Sequence, residues 1–172
     1  MLLLPIRAAW AQPAMFTLPI QPACVSSPFG PRAGGGPKAS HDHTGIDLPG
    51  PAGTLVHATA DGTVAAIHRR GARGLEVELR HANGWVTRYD HLGSVAPALA
   101  TGKRKIARGE TLGRIGRSGV TYGTHLHSPA GEPRAREPGP MAPWSRMALP
   151  VPLDRWSCGG DAMAPAGGAG IE

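Results

Sequence analysis

From about residue 40 to 128 the chain is built of short apolar or alternating runs: GIDL, TLVHA, GTVAAIH, LEVELRH, WVTRYDHL and TLGRIG. Each has the length and texture of a strand, and Pro-Gly, Asp-Gly, Arg-Gly, Asn-Gly and Ser-Gly pairs punctuate them as turns would. Asp61-Gly62 and Asn83-Gly84 are tight-turn candidates, the second placed between two strand-like runs as a hairpin turn should be. No window holds a 3.6-residue apolar period for three turns, so any helix is expected to be short. The pattern predicts an all-β, mainly antiparallel domain, a compact sandwich or barrel-like body. Its flanks read differently. Residues 1–25 are an irregular, proline-bearing lead-in, and the residues after His127 hold 8 Pro and 7 Gly with no alternating run. Such a segment buries too little apolar surface to offset its ordering entropy. The expected organisation is a lead-in over 1–25, one domain over 26–128 and a disordered tail over 129–172.

Composition changes this picture little. A chain of 172 residues suits one core rather than two. The net charge of +6 rests on 15 Arg against 3 Lys, scattered without a basic helix or interleaved aromatics, so nucleic acid is not an expected partner. No run approaches the roughly 20 apolar residues of a spanning helix. The start, MLLLPIRAAWAQPA, has a short apolar run and a small-x-small site at Ala9-Trp10-Ala11 but no basic n-region, a weak export signal at most. Cys24 and Cys158 match no metal or redox spacing, and whether they pair is left open.

The chemistry lies in the histidines. All eight fall between His41 and His127. If HTGIDL is extended, the period of two puts His43, Gly45 and Asp47 on one face and Thr44, Ile46 and Leu48 on the other. In THLHS the same rule sets His125 beside His127, with Leu126 pointing away. Two such strands could bring three or four ligands around one point. Two imidazoles and one carboxylate form a set typical of catalytic zinc, which keeps a fourth position for water. Four histidines compete for two imidazole places, and His91, in YDHL on the strand face of Tyr89, adds a further candidate. His41 precedes His43 by two, but H-x-x-x-D favours His43. His57, His68 and His81 read as ordinary strand residues, Tyr89 as core, and Asp61 as a turn residue.

In order and spacing, SSPFGPR, HTGIDLPGPAGTLVHATADGTVAAI, GLEVELRHANGWVTRYDHLG and RGETLGRIGRSGVTYGTHLH resemble the lysostaphin-type zinc metalloendopeptidases, which cleave peptide bonds in bacterial peptidoglycan. The resemblance spans roughly residues 26 to 127. It implies a compact antiparallel metallopeptidase domain with one Zn2+ per chain held by His43, Asp47 and His127, and His91 and His125 as catalytic residues. Arg32 of FGPR would line the groove. Zinc in such a site lowers the pKa of its water from 15.7 toward about 7. His125 would help take the water's proton, while His91 would stabilise the oxyanion or orient the water; which is the base stays open. Peptidoglycan peptide stems or cross-bridges are the implied partner, with a monomer at work in the periplasm or outside the cell.

After H-x-H the family continues its strand, whereas this chain gives Ser128-Pro129-Ala130. Proline has no N–H to donate, so pairing is expected to falter within two residues of His127, and the tail from Ser128 to be foreign to the fold, through a frame slip or a truncation. Two other functions compete: a non-catalytic or weakened relative that binds cell wall or regulates another hydrolase, and a histidine phosphocarrier. Retention of all three ligands disfavours the first, and the Asp47 carboxylate the second.

Overall fold

The structure, a computed structural model, describes residues 16–32, 39–82, 84–129 and Cys158. The signal-like start and the tail from residue 130 lie outside the described residues, Cys158 apart, and so does Asn83 of the expected hairpin turn. The described strands are β1 Gly30–Pro31, β2 Asp42–His43, β3 Gly45–Pro49, β4 Leu55–His57, β5 Gly62–Arg70, β6 Gly74–Arg80, β7 Val86–Val95, β8 Lys105–Ile106, β9 Thr111–Ile115 and β10 His125–Pro129. One four-residue helix, α1 Pro97–Ala100, follows β7. All described strand pairings are antiparallel. The all-β expectation therefore holds, and the helix is as short as the missing 3.6 period required.

The main sheet runs β3-β10-β7-β6-β5-β8, and a branch, β9 with β4, attaches to β7. β7 is the hinge of this arrangement: Asp90 in its first half pairs with His127 of β10, while its second half pairs with β9. Both arms close over one core. Ile46 and Leu48 from β3, Val56 from β4, Val77 and Leu79 from β6, Tyr89 and Leu92 from β7, Leu112 from β9 and Leu126 from β10 are all fully buried in it. At about 25 cal/mol per Å² of apolar surface, each of these side chains contributes about 1.5–3 kcal/mol by burial. The alternation read from the sequence places them: Ile46, Leu48 and Leu126 face the core, so Asp47, His125 and His127 must face the other way. β6 and β7 form the expected hairpin, its turn closed by Gly84 N–H donating to His81 O at 3.0 Å.

β10 corrects an expectation. It lies between β3 and β7, and it does not fail after His127: Ser128 pairs with Ile46, is fully buried, and donates its hydroxyl to Arg88 O at 3.1 Å. Pro129 stands opposite Gly45 at the strand's last position, where proline is tolerated because the ladder ends there. Ser128 and Pro129 thus belong to the fold. Cys24 and Cys158 form a disulfide, and Cys158 N–H donates to Val25 O at 3.3 Å.

Candidate metal centre

His43 Nε2, Asp47 Oδ1 and His127 Nδ1 converge: His127 lies 2.8 Å and His43 3.2 Å from the carboxylate oxygen, and the two nitrogens are 3.1 Å apart. Zinc bonds nitrogen and oxygen at about 2.0–2.1 Å in tetrahedral sets, which puts ligand atoms about 3.3 Å from each other. The observed spacings sit just inside that value, so the three donors fit such an ion. Among the described residues these are the one group of His, Cys, Asp and Glu with this convergence. His41, exposed on the surface, is not in it.

The strands explain the convergence. β10 pairs with β3 so that His127 stands opposite Asp47, and paired residues share a sheet face. His43 arrives from β2, itself held against β1 by the pair Gly30 with His43. The segment before β1 clamps Asp47 from the other side: Ser26 N–H donates to Asp47 O, and Asp47 N–H to Ser27 O, each at 2.9 Å.

Three of the imidazoles have their tautomer set by a neighbour. His43 Nδ1–H donates to Pro28 O at 2.7 Å, with Ser27 Oγ at 3.1 Å, leaving Nε2 to face the cluster. His91 Nδ1–H donates to Ser118 O at 2.9 Å, and His125 Nδ1–H to Gly123 O at 3.0 Å. A ring whose Nδ1 carries the proton presents an acceptor at Nε2. His125 Nε2 lies 3.6 Å from Asp47 Oδ1. The His91 ring centre is 4.9 Å from that of His125 and 6.0 Å from that of His127. All five expected residues, His43, Asp47, His91, His125 and His127, therefore gather in one place.

The electrostatics favour ligation. Burial works against the charge of Asp47, but the His127 and His43 rings, 2.8 and 3.2 Å from its Oδ1, override it and hold the carboxyl far below the ordinary range. Burial lowers His127, against the pull of Asp47, and lowers His91, against its bond to Ser118 O. Both rings are then neutral near pH 7, with lone pairs available to a metal or a proton.

His91 departs from the strand face assigned to it. Leu75 pairs with Leu92 and Val77 with Tyr89, so two residues of β7, Asp90 and His91, stand opposite Glu76 alone. This is a β-bulge, and His91 is the residue in left-handed conformation, φ 61°. The bulge sends Tyr89 into the core, where its hydroxyl meets Thr59 and Thr87, and turns His91 toward the other imidazoles. A left-handed non-glycine costs on the order of 1 kcal/mol and persists only where its surroundings fix it. Here Ser118 O holds the ring and Gly116 N–H holds the His91 carbonyl at 3.1 Å.

Two of the remaining histidines are structural. His81, buried, bonds Asp61 O and Thr87 Oγ1, and His57 bonds Gly109 O. Asp61 Oδ1 accepts from Arg108 N–H, as a turn residue would. Sequence reasoning missed Asp90: fully buried, with no hydrogen bond to either carboxylate oxygen among the described residues, and with Arg73 Nε at 3.7 Å. Nothing in YDHL marks that burial.

The profile described as peptidase family M23 matches residues 41–133, more than half of the chain. Over 129 residues the chain is 40% identical to the DD-carboxypeptidase/endopeptidase Mpg of Neisseria meningitidis serogroup B, covering 74% of this chain and 28% of that one. Over 107 residues it is 37% identical to the peptidoglycan DD-endopeptidase ShyC of Vibrio cholerae, covering 60% and 23%. The chain thus spans about a quarter of the length of these relatives. Among solved structures, a zinc-containing peptidase from Vibrio cholerae superposes with a TM-score of 0.58 at 25% identity, over 74% of this chain and 41% of that one.

Proposed function

Since the chain belongs to peptidase family M23, we propose that it is a zinc-dependent endopeptidase that hydrolyses peptide bonds in the stems or cross-bridges of bacterial peptidoglycan. The observation that carries the reading is the convergence of His43, Asp47 and His127 on one point, with His91 and His125 beside it. Relatives named for action on peptidoglycan supply the substrate class.

His43, Asp47 and His127 would hold the ion. When bound, zinc supplies a Lewis acid for water and the scissile carbonyl. His125, whose Nε2 is an acceptor, takes the proton from the attacking water and delivers it to the departing amine. The water oxygen bonds to the carbonyl carbon, the C–N bond breaks, and its electron pair leaves with the amine. His91, neutral by burial and with its N–H spent on Ser118 O, orients the water as an acceptor. It becomes an oxyanion donor only after taking a proton itself.

The protein acts in the cell envelope as a monomer, in a periplasmic or extracellular setting that the Cys24–Cys158 disulfide suits. No helix among the described residues is long and apolar enough to cross a membrane. A non-catalytic wall-binding relative would need neither the ligand trio nor two pinned imidazoles beside it.

Purified peptidoglycan incubated with the zinc-loaded protein should release new amino groups, and His125→Ala should lower that rate by about 10²- to 10⁴-fold. A zinc-loaded wild type that releases none overturns the proposal.

A further inference from the structure

Arg32 lines a groove of about 580 Å³ beside the metal cluster, and its hydrogen bonds tie it to the residues that carry the ligands. Nη1 donates to Ser27 Oγ at 3.0 Å and to Asp47 Oδ2 at 3.3 Å, and Nε–H donates to Ser40 O at 3.0 Å. Its backbone N–H donates to His41 O at 2.9 Å. One residue thus joins the segment before β1, the residues just before β2, and β3.

The two oxygens of Asp47 thereby have different partners. Oδ1 lies 2.8 Å from His127 Nδ1, 3.2 Å from His43 Nε2 and 3.6 Å from His125 Nε2. Oδ2 accepts from Arg32, its one hydrogen-bond donor among the described residues. The difference matters because a carboxyl group turns easily about its last torsion, and its two oxygens are chemically equal. An unheld carboxylate can meet an ion through both, and the second oxygen then takes the position that a catalytic zinc keeps for water. Ser27 Oγ extends the same hold to a second ligand, standing 3.1 Å from His43 Nδ1.

We propose that Arg32 is a positioning residue: by holding Asp47 Oδ2 it leaves Oδ1 as the single ligand atom and keeps one place on the ion open. The guanidinium is suited to this because it is planar and rigid. Ser40 O, Ser27 Oγ and Asp47 Oδ2 are then held in a fixed frame, which the flexible stem and single ammonium of a lysine do not provide. Arginine also stays charged at any working pH, so the hold does not depend on protonation. The inference rests on the zinc peptidase reading above and names a residue outside the ligand set on which the coordination depends.

The test measures metal binding by the full chain as wild type, Arg32→Gln and Arg32→Lys. Zinc affinity is read against a competing chelator, and the visible spectrum is read with cobalt(II) in place of zinc. Four-coordinate cobalt(II) absorbs strongly in the visible, and its bands weaken as the coordination number rises. The wild type should show the strong bands. Arg32→Gln should bind zinc about 10- to 100-fold more weakly, the scale of a lost partner behind a ligand, and should give weaker bands per bound cobalt ion. Arg32→Lys should fall between the two on both counts. Band strength per bound ion does not depend on how much of the protein is folded or loaded, so a merely structural role would leave it unchanged. If Arg32→Gln holds too little cobalt for a spectrum, Arg32→Lys decides the question. Unaltered zinc affinity in Arg32→Gln, unaltered bands in the variant that is read, or weak bands in the wild type overturns the inference, while digestion of peptidoglycan by that same wild type keeps the peptidase reading standing. A wild type that binds neither metal overturns both.

Discussion

At the residue scale, the site depends on which nitrogen of each imidazole is free. Pro28 O, Ser118 O and Gly123 O take the Nδ1–H of His43, His91 and His125, so three acceptor lone pairs are set before any ligand arrives. Asp90, next to His91, shows the opposite kind of control. Burial pushes its carboxyl from 3.8 up to about 7, with Arg73 pulling it down and Glu76 pushing it up. The folded pKa lies above the unfolded one, so this group's contribution to stability is full below pH 3.8 and is lost as pH rises to about 7. The full difference is on the order of 4 kcal/mol, at about 1.4 kcal/mol per tenfold change in proton affinity. Asp90→Asn removes the ionisable group and should raise the melting temperature at pH 8, with the gain shrinking toward pH 4. Thermal melts across that range check it; a pH-independent difference would show that Asp90 is not the group responsible.

At the scale of elements, the decisive piece is the loop from β9 to β10, since it supplies both Ser118 O and Gly123 O. Gly119 sets its height: φ is +79°, and a Cβ there would collide with Ala72 O and Gly74 N. Gly119→Ala should therefore displace the loop and misaim His91 and His125 while the ligand trio, on β2, β3 and β10, keeps its ion. Displacements of about 1 Å at a reacting group cost on the order of 10²-fold, so kcat should fall about 10- to 100-fold with zinc content unchanged. Loss of zinc along with activity would mean that the loop supports the ligands themselves.

How much of this was legible follows from the same elements. Period-two alternation places Asp47 and His127 on the face away from Ile46, Leu48 and Leu126, because β3 and β10 are regular where the ligands sit. It fails for His91, since a bulge is one extra residue whose position is decided by the partner strand and not by the local pattern. It misjudged Ser128, because a proline that ends a ladder and one that breaks it look alike in sequence. Whether Cys24 and Cys158 pair was illegible too, because a sequence separation of 134 says nothing of their distance in the fold.

At the scale of the whole molecule, one core supports one site. β3, β10 and β7 lie side by side, burying Ile46, Leu48, Leu126 and Tyr89 on one face and presenting Asp47, His127 and His125 on the other. The segment 24–27 ties Cys158 to this sheet, through the Cys24–Cys158 disulfide on one side and its backbone bonds to Asp47 on the other. An ion at the trio would tie β2, β3 and β10 together, and its binding free energy would add to folding stability. The most direct test is the zinc content of the purified chain, measured by native mass spectrometry on the wild type and on Asp47→Ala, His127→Ala, His91→Ala and His125→Ala. One zinc per chain in the wild type, lost from the first two variants and kept by the last two, is the predicted result; a wild type that binds no zinc, or an Asp47→Ala protein that binds it as tightly, would contradict it.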